Sequence, residues 1–268
     1  MFKKCNSFYA YSLTNVLRLC YKLLKETKNK NMDILSSLAI IALAALIHAS
    51  FQLSVSVLTL LSGHSIVAKH SQAKVLRLTS SFVFGVGVMT VLLLSFLSLI
   101  FLDAFNGQTP DIAWAMVCGL LVGVSLAVWL FYYRRQSGTS LWIPRPIASY
   151  LNERTKATTH SAEAFSLGLS SVISELVFII APLAVSALVL IQLPAVWQLA
   201  GIGIYTVISM LSLVVIWVLI GGGHKLSAIQ KWRESNKYFM QFAAGAGLLI
   251  LGFFTYVTEV IGRSIGGL

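Results

Sequence analysis

The chain has 268 residues, of which 57% are hydrophobic and only 11% are charged, and its formal net charge is +11. Several apolar stretches reach roughly 20 residues, the length that an α-helix needs to cross a bilayer. This composition indicates an all-α, multi-pass membrane protein without room for a sizeable soluble domain. Its three cysteines, Cys5, Cys20 and Cys118, lack a CxxC or metal-ligand spacing, so the sequence predicts neither a disulfide framework nor a zinc site.

Residues 1–32 form a basic N-terminal extension that admits three interpretations. It could be an amphipathic surface helix, because Leu13, Val16 and Leu17 begin a series of apolar residues at helical spacing. It could be a cleaved leader, although it lacks an uninterrupted apolar region and a small-residue cleavage site. Translation could also begin at Met32, and we favour this interpretation because MDILSSL is a short acidic start that suits an end outside the cell.

Six apolar stretches predict six membrane-spanning helices, at 34–61, 78–102, 112–133, 163–192, 195–220 and 238–260. The first three form one half of the chain, 33–133, and the last three form a second half, 163–262. A basic linker, 134–162, joins the two halves and is expected to be cytoplasmic.

Lysine and arginine residues gather in alternate loops between the predicted spans. The loops at 62–77, 134–162 and 221–237 are basic, whereas the others carry Asp103 and Asp111 or almost no charge. Basic residues favour loops that stay in the cytoplasm, so both ends of the six-helix unit are expected outside the plasma (cytoplasmic) membrane. Membrane topology therefore explains the positive charge, and the sequence predicts no nucleic-acid partner.

The two halves resemble each other in sequence. GVGVMTVLLLSFLSLI at 85–100 aligns with GIGIYTVISMLSLVVI at 201–216, and CGLLVG at 118–123 matches AGLLILG at 246–252 more loosely. SFQLSVSVLTLL at 50–61 can be laid over ISELVFIIAPLA at 173–184. Chance similarity between helices rich in Leu, Val and Gly is the alternative. Because three helices are an odd number, a true repeat would be inverted, as in many secondary transporters.

Glu175 is a carboxylate inside an apolar span, and the alignment of the halves puts Gln52 opposite it. Both residues are expected about 15–18 Å deep in a hydrocarbon core about 30 Å thick, close to the midplane. An acidic residue at a helix centre costs roughly 2.5–3.5 kcal/mol on insertion, so Glu175 should face protein or water. We interpret it as a proton- or cation-binding group on a transport path; a protonated carboxyl group that only holds helices together is the alternative.

Other polar residues of the spans are further site candidates. Pro182 should kink span four beyond Glu175 and free backbone carbonyls, which could bind substrate or serve packing alone. His48, one turn before Gln52, could relay protons or simply be a hydrogen-bonded interior histidine. Thr90 and Thr206 occupy equivalent repeat positions, although each could bond only its own helix backbone.

Glycines of the spans are expected to allow close helix contacts rather than to bind ligands. This group contains Gly85, Gly87, Gly201, Gly203, Gly119 and Gly123. His64 and His70 share a loop, but two histidines without a nearby acid or thiolate do not indicate a metal site.

These features together resemble the LysE-type transporter superfamily. The resemblance rests on two inverted three-helix halves, a polar site in the first helix of each, and the helix-breaking loop GGGHKLSAIQKW (221–232) before the Gly-rich AAGAGLLILGFF (243–254). It implies amino-acid export, nickel or cobalt export, or electron conduction. IHASFQLS (47–54) lacks the Asp-His expected of a metal exporter, and neither half has a cysteine in its first helix, which argues against electron transfer.

We therefore expect an ion-coupled exporter of a small cationic or zwitterionic solute. The sequence contains no nucleotide-binding motif, and we expect no cofactor and no enzymatic activity, because one Glu and one His on different spans do not form a catalytic set. The expected partners are the lipid bilayer and a small-molecule or ion substrate, and a homo-oligomer is allowed. The alternative is a membrane scaffold or assembly factor whose intramembrane polar residues are structural.

Overall fold

A computed structural model describes residues 34–51, 56–62, 71–132, 145–222, 231 and 235–261. The chain divides into two compact units, 1–39 and 40–268. Of the first unit, residues 34–39 are described and are helical. All contacts discussed below lie within the second unit.

The described residues are almost entirely helical and include no strand. We number the helices α1 (Ile34–Ser50), α2 (56–62), α3 (Gln72–Phe105), α4 (Asp111–Ala127), α5 (Arg145–Ala157), α6 (Ser161–Leu190), α7 (Ala195–Ser209), α8 (Leu211–Gly221) and α9 (Lys237–Thr255). Short π-helical segments, Val128–Tyr132 and Tyr256–Ile261, extend α4 and α9.

Four helices are long and apolar enough to cross a membrane, which agrees with a multi-pass membrane protein. They are the helices at Gln72–Phe105, Asp111–Leu130, Ser161–Leu190 and Phe242–Ile261. The pair α7 and α8 is a fifth candidate if the two helices, bent by 51°, form one broken span. The first predicted span, 34–61, corresponds to α1, which is shorter than these helices, and to α2.

Two predicted spans differ from the observed helices. The linker 134–162, for which no secondary structure was predicted, contains a helix, α5, whose charged residues alternate with apolar ones at helical spacing. Span five, predicted as one helix, is interrupted at Met210. The first predicted span is described as two helices, and Gln52, His64 and His70 lie outside the described residues.

Helix α6 is the central helix of the second unit. Its most apolar 18-residue window is 67% buried, compared with 22–39% for the other three long helices. Every residue from 181 to 190 is buried. Because this stretch is apolar on all sides, it is suited to enclosure by protein rather than to a helix with one face in water.

Local sequence explains where the long helices begin and end. The Ser71 hydroxyl accepts a hydrogen bond from the Lys74 amide at the start of α3. Asn106 and Gly107 adopt positive φ angles of 49° and 75° and end α3. At the start of α6, Glu163 accepts hydrogen bonds from the backbone amides of Thr159 and His160, which completes a capping box.

Glycines bring α3 and α6 into direct backbone contact. A Cβ atom added at Gly85 would collide with the Phe165 carbonyl oxygen, and one added at Gly168 would collide with the Phe82 carbonyl oxygen. Only glycine permits such an approach. The close contact predicted for Gly85 is therefore confirmed.

The other predicted glycine contacts divide into two groups. A Cβ atom at Gly201 would lie 2.6 Å from Leu190 Cδ2, and one at Gly87 would lie 2.9 Å from Met210 Sδ, so both glycines make close contacts. The prediction is wrong for Gly119, Gly123 and Gly203. These three are exposed, and no atom of the described residues lies within 4 Å of an added Cβ, because they face away from the neighbouring helices.

Candidate functional site

A small polar cavity lies where α1, α3, α6 and the α7–α8 break meet. It is lined by His48, Phe51, Val86, Thr90, Glu175, Ser209, Met210, Ser212 and Leu213. Its volume is about 20 Å³. By the same measure, a cavity needs roughly 10–15 Å³ to hold one water molecule. The cavity can therefore hold one water-sized species in this conformation.

Glu175 lies in the wall of this cavity and is only 3% exposed. The structure also brings two other predicted site residues to the cavity, His48 from α1 and Thr90 from α3. Glu175 is on α6, so three separate helices contribute these three side chains. The cavity can thus bind a proton or a cation at its carboxyl group.

Thr206 and Pro182, two further predicted site residues, do not line the cavity, and Gln52 lies outside the described residues. Thr206 donates its hydroxyl proton to the Ile202 carbonyl of its own helix, as the packing interpretation expects. Pro182 lies in the buried part of α6, which continues as one helix through it. The kink predicted there remains a prediction, and the 51° bend lies at Met210 instead.

His48 joins α1 to α7 through a buried hydrogen bond. Its Nδ1 lies 2.9 Å from the Tyr205 hydroxyl oxygen, and the two ring centroids are 5.6 Å apart. His48 is 5% exposed and Tyr205 is fully buried. This bond fixes the orientation of the imidazole, and the tautomer decides whether Nε2 is a donor or an acceptor.

The end of α1 and the start of α8 are bonded to each other beside the cavity. The Ser212 hydroxyl donates to the Ala49 carbonyl at 2.8 Å. Ser50 bonds the Ile47 carbonyl, and the Phe51 amide bonds the His48 carbonyl. Three carbonyls in the last turn of α1, those of Ile47, His48 and Ala49, therefore have hydrogen-bond donors.

The α7–α8 break contains neither proline nor glycine. Its residues instead include two hydroxyl side chains that bond back to their own helix, from Thr206 to Ile202 and from Ser209 to Thr206. Such bonds often bend helices. The uninterrupted α3 contains the same kind of bond at Thr79 and Thr90, so these bonds do not by themselves explain the bend at Met210, which the apolar pattern does not reveal.

Sequence reasoning missed Tyr205, Ser209 and Ser212 as site residues. These residues are spaced by four and then three positions, so in the sequence they share one face of the single helix predicted for span five. A polar face within an otherwise apolar span was the available signal. Phe51, which stacks on Phe178 with ring centroids 5.5 Å apart, carried no comparable signal.

Replacing Tyr205 with phenylalanine is expected to lower the free energy of unfolding by about 1–3 kcal/mol, because His48 would lose its buried partner. Thermal unfolding of the purified protein in detergent measures this change. Tyr256→Phe is the control, since Tyr256 is 44% exposed. Equal unfolding midpoints for the two variants would contradict a stabilising role of the His48–Tyr205 bond.

The described residues contain no group of three or more His, Cys, Asp or Glu side chains that could hold a metal ion. In comparisons with protein-family models, curated proteins and solved structures, no match to the chain is found.

Proposed function

We propose that the protein is an integral membrane transporter that exports a small cationic or zwitterionic solute and is coupled to an ion. The transport path would pass the cavity around Glu175, between two inverted three-helix repeats. We also propose that the protein is related to the LysE-type transporter superfamily. In the proposed orientation, both ends of the six-helix unit lie outside the plasma membrane.

The observation that carries this proposal is the composition of the cavity wall. His48, Phe51, Val86 and Thr90 belong to the half 33–133, and the other five lining residues belong to the half 163–262. A buried carboxyl group between two halves is the arrangement expected of a site that opens alternately to each side. A packing carboxyl group would not need a polar cavity beside it.

The relative directions of the packed helices agree with successive spans that cross the membrane in opposite directions. Between α1 and α7, Ile41 lies against Gly201 and His48 bonds Tyr205, so these helices run parallel. Between α3 and α6, Gly85 meets Gly168, and Thr90 lies farther along beside Glu175. These helices also run parallel, as spans two and four should.

Helices α4 and α9 run antiparallel, as spans three and six should. Cys118 Sγ lies 3.7 Å from the Gly252 carbonyl, and the Ser125 hydroxyl donates to the Gly245 carbonyl at 2.8 Å. Both contacts join the last helix of one half to the last helix of the other half.

The glycine contacts of the second and fifth spans can be compared across the two halves. Gly85 packs against Phe165 on α6, whereas its aligned partner Gly201 packs most closely against Leu190 on α6 and next against Ile41 on α1. The alignment of Gln52 with Glu175 shifts Phe165 to Ala42, the neighbour of Ile41. Each glycine thus contacts the first helix of the opposite half, and Gly201 also contacts the first helix of its own half.

A membrane scaffold is the second candidate, and the small size of the cavity favours it. Screening separates the two. The purified protein would be tested by thermal shift against amino acids, polyamines and divalent metals, and then for flux of any hit in proteoliposomes under an imposed ion gradient. Gradient-dependent flux supports transport, and its absence for every stabilising solute would favour the scaffold.

Cysteine labelling tests the proposed orientation. With the three native cysteines replaced by alanine, new cysteines beside Arg135 and Lys231 are expected to react with a membrane-impermeant reagent only after the cells are permeabilised, because basic loops remain cytoplasmic. A cysteine beside Asp111 is the control and should react in intact cells. The reverse pattern would show that the orientation is wrong.

A further inference from the structure

The hydroxyl groups of the cavity all use their protons elsewhere. Thr90 donates to the Val86 carbonyl at 2.9 Å, Ser209 donates to the Thr206 carbonyl at 3.0 Å, and Ser212 donates to the Ala49 carbonyl at 2.8 Å. A hydroxyl group has one proton and two lone pairs. What these side chains can still offer a ligand is therefore acceptor oxygen.

The only acidic or basic side chains among the described lining residues are Glu175 and His48. The described part of the wall includes no lysine or arginine. Three hydroxyl oxygens and a carboxylate make a set of oxygen acceptors, which is the kind of ligand that hard cations prefer. The wall thus favours a positively charged species, or a small group that donates hydrogen bonds in several directions.

Size and charge narrow the ligand further. A volume of about 20 Å³ admits one water-sized species and excludes an amino acid or a polyamine in this conformation. A single carboxylate neutralises one positive charge. A divalent ion would keep an uncompensated charge in a buried site, which is costly.

We infer that this cavity is a site for one monovalent, oxygen-bound cation of about the size of water, and that it is the coupling-ion site rather than the solute site. The second part rests on the proposed transport function, and the first does not. Two ions fit this description. One is a sodium ion, and the other is a proton, bound either to Glu175 or as hydronium.

Thermal unfolding of the full-length purified protein distinguishes these two ions. The unfolding midpoint would be measured in NaCl and in choline chloride at equal ionic strength and constant pH, and then in choline chloride across pH 5–9. A saturable rise with NaCl that Glu175→Gln abolishes identifies sodium. A pH-dependent midpoint without a sodium effect, again lost in Glu175→Gln, identifies the proton.

The titratable groups at the cavity are Glu175 on α6 and His48 on α1, with Tyr205 on α7 behind His48. His48→Gln therefore accompanies Glu175→Gln in the pH series. A pH response that survives in Glu175→Gln and disappears in His48→Gln, with no response to sodium, would overturn the inference. So would a midpoint that depends on neither sodium nor pH.

Two matched pairs of variants test the hydroxyl ligands and do not depend on the folding of Glu175→Gln. Thr90→Val is compared with Thr79→Val, since Thr79 is a buried residue of the same helix that bonds the Val75 carbonyl away from the cavity. Ser212→Ala is compared with Ser125→Ala, since Ser125 also bonds the carbonyl of another helix at 2.8 Å.

Each cavity variant is expected to weaken the apparent cation affinity about tenfold. The variant loses one oxygen ligand, whose contact with the cation is about as strong as a hydrogen bond to a charged group. Each control should change stability without changing affinity. Equal affinities in all four variants would overturn the inference. Cation binding without any solute flux would refute the transport function and leave the cation site intact.

Discussion

Glu175→Gln is expected to reduce ion-coupled transport about tenfold to a hundredfold, or to remove its pH dependence, while the protein still folds and inserts. Glutamine keeps the shape of the side chain and much of its hydrogen-bonding capacity but cannot release a proton or balance a cation. The estimated size corresponds to losing one interaction between a charge and its ligand in a buried site. Flux in proteoliposomes at several pH values measures it.

Two further substitutions separate an ion-binding role of Glu175 from a packing role. Glu175→Leu is expected to destabilise the protein by about 1–3 kcal/mol, because its partner groups would lose a buried hydrogen bond. Glu163→Gln is the control, since Glu163 belongs to the same helix but caps its exposed end. If Glu175→Gln transports normally with the wild-type pH dependence, Glu175 is a packing residue.

Gly85→Ala is expected to cause a large loss of stability. The new methyl group would collide with the Phe165 carbonyl oxygen, which belongs to backbone and cannot rotate away. Overpacking of this kind costs about 1–3 kcal/mol, and α3 and α6 would have to separate. The yield of monodisperse protein and its thermal unfolding midpoint measure the effect.

Gly119→Ala is the matched control because it is also a glycine within a long apolar helix. No described atom lies within 4 Å of its added Cβ. Alanine is also the better helix former by about 0.8–1 kcal/mol, so this variant should be unchanged or slightly more stable. If both glycine variants lose the same stability, close α3–α6 contact is not the cause.

The helical class and the position of the buried carboxyl group could be predicted from the sequence. Apolar stretches of bilayer length and one acidic residue within them depend only on local composition. Glu175 is indeed buried in a polar cavity, and His48 and Thr90 are beside it. These predictions succeeded because a charge in an apolar span has few places where it can be tolerated.

Partners between distant helices could not be predicted in the same way. His48 and Tyr205 are separated by 157 positions, and nothing in the periodicity of either helix identifies the other as its neighbour. The glycines illustrate the same limit. Gly85 and Gly119 both lie in apolar helices, but only the assembled structure determines that one faces a helix and the other does not.

The α3–α6 contact has a consequence for the order of assembly during synthesis. A chain is made from its N-terminus, so α3 and α6 are both complete before α7 follows. While the ribosome is still making the last third of the chain, exposure of the Glu175 carboxyl group to lipid would cost the most free energy. Because Gly85 and Gly168 let α3 and α6 meet without later residues, this early pair can shelter the carboxyl group from lipid. Helices α7 and α8 are made later, so the bonds of Tyr205 and Ser212 to α1 can form only after α3 and α6 are complete.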